Sequence, residues 1–221
     1  MEEQHLDEEL AELSLFPLNV VLFPGMPMPL RIFEERYKLM INQCIDNSEV
    51  FGIMLIREGP EVGGGAVPHA IGTTCRITEV ERLEDGRMNL STTGEKRFQL
   101  VEPLYDAPYL RGKVRYLPEG VGETQEGVQE EAHHLFTEFI RGLAGLRGGW
   151  MSGADAPDDP GVLSYSIAHY LDLPVIAKQR LLEVPQTGER LKYEIPLLQG
   201  AVQRLKEETV KRNPYQGPRL N

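Results

Sequence analysis

Two overlapping Glu-x-x-His pairs are the first residues here whose types and spacing could bind a metal ion: Glu130 with His133, and Glu131 with His134. A two-metal centre in a helical bundle takes such pairs from two helices, together with further carboxylates. The later predicted helices contain no second pair. Adjacent histidines also point about 100° apart around a helix. The four residues therefore predict a polar helix face, and we expect no metal site.

Hydrolytic chemistry has no recognisable motif in the sequence. Nucleotide hydrolysis needs a loop of backbone amides and a lysine to hold phosphates, and no G-x-x-x-x-G-K-[ST] motif occurs. Ser152 lies in Trp-Met-Ser-Gly rather than in the G-x-S-x-G turn of serine hydrolases, and its loop offers no obvious base. We therefore expect no catalytic residue, no cofactor and no enzymatic activity.

A basic face on one predicted strand could contact phosphates. Arg111, Lys113 and Arg115 share this face, but no aromatic residue alternates with them to stack on bases. Carboxylates elsewhere in the sheet could pair with the three cations: Glu79, Glu81 and Glu84. The formal charge of −11 and the isoelectric point near 5.0 also oppose binding to nucleic acid. Binding of RNA or a nucleotide stays open as the alternative function.

The stretch from Phe16 to Tyr37 gives the clearest prediction of secondary structure in the sequence. Its four prolines exclude a long central strand, because proline lacks a backbone donor. Pro24-Gly25 suits the centre of a type II turn, since glycine tolerates a positive φ. Leu30 and Ile32 alternate as in a short half-buried strand, and Glu34-Glu35 then favours a helix N-terminus. The stretch predicts strand, turn, short strand and helix.

The remaining periodicities predict more strands first and helices afterwards, which indicates an α+β chain. Strands are expected at 50–56, 71–82, 88–100 and 110–116, with a bulge where the apolar phase shifts to Val80. Helices are expected at 34–46, 124–145, 161–172 and 174–183. A last helix carries apolar residues from 191 to 205, and Pro196 should kink it or shift its start.

The same stretch resembles the N-terminal domain of Lon protease, a family marked by FPL, then VLFPG, then PL-x-IF-E-x-RY. The resemblance extends over about residues 13–205 and departs in the Gly/Asp/Pro-rich segment at 145–161 and at Pro196. Further family motifs occur in order along the chain: Ile71-Gly72-Thr73, Asp85-Gly86-Arg87, Gly94-Glu95-Lys96-Arg97-Phe98, Lys178-Gln179-Arg180-Leu181-Leu182-Glu183 and Glu189-Arg190-Leu191.

The resemblance implies a fold and a function. The fold would be a PUA-like small β-barrel, or coiled antiparallel sheet, with one helix, followed by a C-terminal helical bundle. The function would be that of a non-catalytic module that recognises unfolded or apolar-rich polypeptides. An ATP-dependent protease or a chaperone would be its partner. Lon proteases carry ATPase and peptidase modules after this domain, and we expect a stand-alone form without them.

Two adaptable segments are the expected polypeptide-binding residues. Met26-Pro27-Met28 follows the predicted turn, and methionine suits apolar surfaces that accept many sequences. Gly63-Gly64-Gly65 lies in a loop at 58–70 that could adjust without disturbing its neighbours. The alternative for the two methionines is that they fill gaps in the hydrophobic core.

Composition sets the expected boundaries and compartment. We expect an acidic tail at 1–12, a β-rich part at 13–118, a helical part at 119–212 with a flexible loop at 146–160, and a tail at 213–221. Neither a signal peptide nor a membrane span is evident. Cys44 and Cys75 lie in apolar patterns, which favours buried thiols in the cytoplasm over a disulfide.

Overall fold

The computed structural model describes residues 10–120, 126–146 and 156–212. Within these ranges six strands and five helices form an α+β fold, as the sequence predicted. The strands are β1 (Ala11–Leu18), β2 (Pro27–Ile32), β3 (Phe51–Glu58), β4 (Val67–Arg82), β5 (Met88–Leu104) and β6 (Arg111–Tyr116). The helices are α1 (Glu35–Asn47), α2 (Glu126–Leu146), α3 (Pro160–Tyr170), α4 (Val175–Glu183) and α5 (Thr187–Arg212).

The six strands form one mixed sheet in the order β2-β5-β4-β3-β1-β6. The expectation of an antiparallel sheet is wrong at one pair, because β1 and β3 run parallel, with Leu15 opposite Gly52. Parallel neighbours need a long crossover connection, which β2 and α1 supply. The long strand β5 pairs with β6 as well as with β4. The five strands β5, β4, β3, β1 and β6 are therefore paired in a closed cycle.

The predicted turn and bulge are confirmed. The amide of Met26 donates to the carbonyl oxygen of Phe23 at 3.1 Å, and Gly25 between them has a φ of +77°. This is the geometry that a type II turn centred on Pro24-Gly25 requires. The register of β4 against β5 shifts between Ile77 and Glu79, which produces the apolar phase change seen in the sequence.

The chain divides into two compact units, and the first holds the sheet. Among the described residues it comprises those up to Pro118 together with Leu173–Pro185, so it includes α4. The sequence had grouped α4 with the other helices, but α4 packs on β4, where Gln179 donates from Nε2 to the carbonyl oxygen of Ile71 at 3.0 Å. Cys44 and Cys75 are both free and buried, as predicted, and burial raises their pKa values to about 11 and about 12.

A buried arginine fixes the segment after α4 within the first unit. Arg97 on β5 is 1% exposed and its guanidinium donates to a group of backbone carbonyl oxygens. The acceptors and distances are Leu182 at 3.0 Å, Val184 at 3.0 Å, Pro185 at 3.2 Å and Pro118 at 3.3 Å. A planar fork of donors satisfies such a set of acceptors, which a lysine could not do.

The second unit contains α2, α3 and α5, with α2 and α3 both packed against α5. Its core includes Phe136, Leu163 and Leu198. Pro196 lies inside α5, and the helix begins nine residues earlier at Thr187, so the proline does not set its start. Within the described residues, no helix is long and apolar enough to cross a membrane.

The predicted tails and loop lie largely outside the described residues. The structure does not describe residues 1–9, 147–155 and 213–221. Ala11 and Glu12, which the sequence placed in the acidic tail, instead begin β1, because they pair with Val114 and Lys113 of β6.

Candidate functional site

An apolar cleft of about 290 Å³ lies in the first unit beside the edge strand β2. Its walls come from the end of β1 and the residues after it, from β2, from the N-terminus of α1, and from the loop at 59–66. The lining residues are Phe16, Leu18, Asn19, Val20, Pro29, Leu30, Arg31, Ile32, Phe33, Glu34, Tyr37, Glu61 and Val62. We call this surface the apolar cleft.

The rim of the apolar cleft exposes large hydrophobic side chains. Phe33 is 52% exposed, Val62 is 56% exposed and Val20 is 40% exposed. Single exposed hydrophobic residues are ordinary on protein surfaces, whereas several around one concave site indicate a surface that binds apolar groups. The floor is closed by buried side chains, including Ile32 and Tyr37. The cleft can therefore accept an apolar side chain without rearrangement of the core.

Two carboxylates hold the 59–66 loop against the cleft. Glu61 accepts a hydrogen bond from the backbone amide of Asn19 at 2.9 Å. Glu34, which directly precedes α1, accepts one from the backbone amide of Gly63 at 3.2 Å and pairs with Arg36 at 3.0 Å. The loop thus has one attachment on each side of Val62, and this positions the exposed valine at the rim.

The three glycines of the loop line a second, smaller cleft of about 260 Å³. Gly63, Gly64 and Gly65 all have positive φ values, of +89°, +98° and +81°, which favour glycine at each position. Tyr37 lines this cleft as well as the apolar cleft, so the loop passes between two adjoining concave surfaces. The glycine segment therefore lies beside the apolar cleft, between it and the second cleft.

The methionine segment occupies a different place. Met26 is 7% exposed and Met28 is half-buried, while Pro27 is exposed. The carbonyl oxygen of Met26 accepts a hydrogen bond from the amide of Gly94 at 3.0 Å. Neither cleft includes Met26, Pro27 or Met28 in its lining. The structure does not bring this segment and the glycines into one cleft, and the burial of Met26 favours the core-filling alternative for that residue.

The sequence reasoning missed Phe33, Val20 and Val62. Alternation supplied a usable signal for Phe33. Leu30 and Ile32 lie on the inward face of β2, and successive side chains of a strand point to opposite faces, so Phe33, directly after Ile32, is expected to face outward. Val20 and Val62 had no such signal, since both lie in irregular connections whose path depends on the tethers from Glu34 and Glu61.

The Glu-x-x-His residues form a polar surface on α2. His133 lies with Nε2 at 3.1 Å from the carbonyl oxygen of Ala156 and at 3.8 Å from a carboxylate oxygen of Asp158. Among the residues that the structure describes, no three histidine, cysteine or acidic side chains are grouped to hold a metal ion. Ser152 lies outside the described residues.

The basic strand face is engaged in ion pairs. Arg111 pairs with Glu12 and with Asp106, each at 2.6 Å, and Lys113 pairs with Glu102 at 2.8 Å. The hydrogen bond and the charge of Glu102 raise the pKa of Lys113. Arg111 and Lys113 are therefore paired, but with carboxylates on β1, on β5 and in the loop before β6 rather than with the expected Glu79, Glu81 and Glu84.

Comparison with solved structures defines the class of fold. The crystal structure of a Lon N-terminal domain protein from Xanthomonas campestris is similar over 83% of this chain and 96% of its own, with 27% identity and a TM-score of 0.65. The N-terminal domain of Mycobacterium avium complex Lon protease shares the fold over 86% of this chain and 98% of its own, with 18% identity and a TM-score of 0.66.

Sequence comparison names the family. Residues 12–200 match the ATP-dependent protease La (LON) substrate-binding domain, and the chain belongs to this family. Lon protease 2 of Myxococcus xanthus is 28% identical over 193 residues, which are 84% of this chain and 23% of that protein. Lon protease of Paraburkholderia phytofirmans is 29% identical over 203 residues, 88% of this chain and 25% of that protein. The chain thus spans about a quarter of the length of these relatives.

Proposed function

We propose that this chain binds unfolded or apolar-rich polypeptide segments at the apolar cleft, as a non-catalytic recognition module in ATP-dependent proteolysis. The observation that carries the proposal is the exposed rim of Val20, Phe33 and Val62 around a cleft, in a chain that belongs to a substrate-binding domain family. Burial of apolar surface is not directional, so such a site accepts many sequences.

Side chains, rather than backbone pairing, supply the affinity. The cleft lies along β2, which pairs with β5 and forms an edge of the sheet as the described residues have it. Edge strands often capture extended peptides by adding a strand, which needs free backbone donors. Pro27 and Pro29 remove two donors from β2, so strand addition there is weakened. The bound segment is held mainly by its apolar side chains.

The expected affinity is modest. A cleft of this size takes one or two apolar side chains, and micromolar binding corresponds to about −8 kcal/mol. Apolar burial is not screened by salt, so the affinity should persist at high ionic strength. Binding to a phosphate backbone would instead weaken steeply with salt, which distinguishes the RNA or nucleotide alternative.

The fold proposal is a PUA-like small barrel. The pairings that run from β5 through β4, β3, β1 and β6 and return to β5 support it. The three loop glycines stay in the proposed binding surface, beside the apolar cleft. Pro27 and Met28, which line neither cleft, stay proposed contacts for a longer bound segment that continues along β2. A cytoplasmic location and partnership with an ATP-dependent protease or chaperone belong to the same proposal.

Site-directed photo-crosslinking tests where the polypeptide binds. A photoreactive phenylalanine analogue replaces Phe33 in one variant and Val101, which is 45% exposed outside the cleft, in the control. We expect a denatured, reduced and alkylated protein to be captured at position 33 and not at position 101. Equal capture at both positions would contradict the location of the site, and capture at neither would contradict polypeptide binding.

A further inference from the structure

Aromatic side chains line the second cleft, of about 260 Å³, on the far side of the glycine loop from the apolar cleft. Tyr37, Tyr105 and Tyr109 contribute the rings, and Pro17 and Pro108 lie beside them. Tyr105 is 84% exposed, whereas Tyr37 and Tyr109 are buried and close the floor. Tyrosine rings bring a large apolar face to a surface and are enriched where proteins bind one another. We call this surface the aromatic cleft.

The backbone that carries Tyr105 is anchored on both sides. The strand β5 ends one residue before it, and Asp106, directly after it, forms an ion pair with Arg111 at 2.6 Å. Further along the same connection, the hydroxyl of Tyr109 donates to the side-chain oxygen of Gln43 on α1. The exposed ring of Tyr105 therefore stands on a fixed connection, so a ligand that covers it does not have to order a loop first.

The charge of the aromatic cleft is balanced within the chain. Among the described residues that line it, the charged side chain is Arg36. Its guanidinium pairs with Glu34 at 3.0 Å and lies over the ring of Tyr37, with 4.3 Å between Cζ and the ring centroid. Because Glu34 already neutralises the arginine, a carboxylate ligand would gain little there. The tyrosine faces instead favour an uncharged aromatic side chain, which packs on them offset or edge to face.

The apolar cleft and the aromatic cleft are neighbours on the two sides of one loop. Val62 lines the first and Gly63, the next residue, lines the second, while Tyr37 belongs to both. The loop is narrow at its base, since a Cβ atom at Gly59 would lie only 2.8 Å from the carbonyl oxygen of Gly65. The separation of the two clefts is therefore on the order of 7–10 Å, which an extended segment covers with two or three residues at about 3.3 Å each.

We propose that the aromatic cleft is a second subsite for the same polypeptide segment, and that it takes an aromatic side chain two or three residues away from the apolar anchor. The inference rests on the proposed polypeptide binding and adds a spacing and a residue class to it. Once the first side chain occupies the apolar cleft, binding of the second is intramolecular, so two weak contacts combine into a tighter complex. Segments with a single apolar side chain bind less tightly.

Four peptides that share a central leucine anchor test the residue class and the spacing. In three of them the residues three positions before and after the anchor are tryptophan, leucine or serine. In the fourth, the two tryptophans directly flank the anchor, so its composition equals that of the first. We expect the first peptide to bind about tenfold tighter than the serine peptide and about threefold tighter than the leucine peptide, by fluorescence anisotropy. Direct flanking should remove most of the gain, because neighbouring side chains of an extended segment point to opposite faces.

Matched variants locate the gain. Tyr105→Ser should lower the ratio of the serine-peptide to the tryptophan-peptide dissociation constant from about ten to about two or less, because an exposed aromatic anchor is lost. Tyr193→Ser, which removes a tyrosine that is 60% exposed on α5, should keep the ratio of the wild type. A ratio that persists in Tyr105→Ser, or falls equally in both variants, would overturn the inference.

The wild type alone separates the failure of this inference from failure of the proposed function. Equal binding of the leucine and tryptophan peptides, or equal binding at both spacings, would overturn the aromatic subsite. If the serine peptide binds and tryptophan adds nothing, only this inference fails. If none of the four peptides binds, the proposed function fails as well.

Discussion

The carboxylate of Glu34 accepts a hydrogen bond from the backbone amide of Gly63, with 3.2 Å between the oxygen and the nitrogen. The residue that directly precedes α1 thereby holds the loop that follows β3. A second attachment, from the amide of Asn19 to Glu61, fixes the same loop four residues before its last glycine. These two contacts place Val62 at the rim of the apolar cleft. The shape of the cleft therefore depends on two polar contacts, which the spacing of apolar residues in the sequence does not predict.

Loss of the Glu34 contact should loosen the loop. In Glu34→Ala we expect backbone amides at 63–65 to exchange with solvent about fivefold faster, because one hydrogen bond of about 1 kcal/mol is lost. Glu35→Ala is the control, since Glu35 is highly exposed and its ion pair is with Lys38, one turn along the same helix. Hydrogen exchange followed by mass spectrometry measures the loop directly. Equal exchange of the loop in both variants would show that Glu34 does not hold it.

Arg97 should be essential to the stability of the first unit. Arg97→Met leaves buried carbonyl oxygens without donors, and we expect the free energy of unfolding to fall by about 3–5 kcal/mol. Arg76→Met removes an exposed ion pair with Glu95 and should cost about 0–1 kcal/mol. Urea denaturation of both variants provides the comparison. Losses of similar size would mean that the four carbonyl contacts contribute little.

Glu194 should make stability depend on pH in the second unit. It is fully buried, with Oε1 accepting from the hydroxyl of Ser164 at 3.1 Å. Burial raises its pKa well above the ordinary value of 4.5, against smaller opposing effects from Ser164 and Arg190. The folded state then binds more protons than the unfolded state above about pH 4.5, so this group lowers stability as pH rises toward its folded pKa.

Glu194→Gln removes this titration and keeps the acceptor for Ser164. We expect the variant to lose less stability than the wild type between about pH 5 and about pH 8, in thermal unfolding curves at each pH. Glu189→Gln, in the first turn of the same helix, is the control and should behave like the wild type. An unchanged pH dependence in Glu194→Gln would show that the buried carboxyl does not contribute.

Met26 and Met28 should now differ in their effect. Met26→Ser empties a buried site, and we expect a loss of about 2–5 kcal/mol in the free energy of unfolding, as for other large-to-small core substitutions. Met28→Ser affects a half-buried side chain and should cost less than about 1.5 kcal/mol. Equal and small losses in the free energy of unfolding would show that Met26 does not fill the core, and would favour its predicted role in polypeptide binding.

The sequence predicted those elements whose burial follows a simple period. The helix at 34–46 and the strand that carries Leu30 and Ile32 had clear apolar repeats, and both are present within a residue or two. The parallel pairing of β1 with β3 could not be predicted, because no local pattern states which strand lies beside which. The same holds for α4, whose place on β4 depends on the long-range contact of Gln179 with Ile71.

Of the residues that the sequence suggested for polypeptide binding, only the three glycines border the proposed site. Gly63-Gly64-Gly65 stood out by composition, and the structure places them beside the apolar cleft. Met26 looked suitable by residue type, but the turn at Pro24-Gly25 directs it into the core. Val62 became visible only when tertiary contacts had brought the start of α1 and the loop together, whereas the alternation of Leu30 and Ile32 already gave a signal for Phe33.

Titration calorimetry of an unfolded polypeptide against the wild type and Phe33→Ser with Val62→Ser tests the central claim most directly. Val101→Ser is the control, as it removes an exposed valine outside the cleft. We expect the wild type and the control to bind at micromolar affinity, near −8 kcal/mol, at low and high salt. The double variant should bind about tenfold or more weakly with little change in melting temperature, because both side chains are exposed. Undiminished binding by the double variant, or no binding by the wild type, would contradict the account.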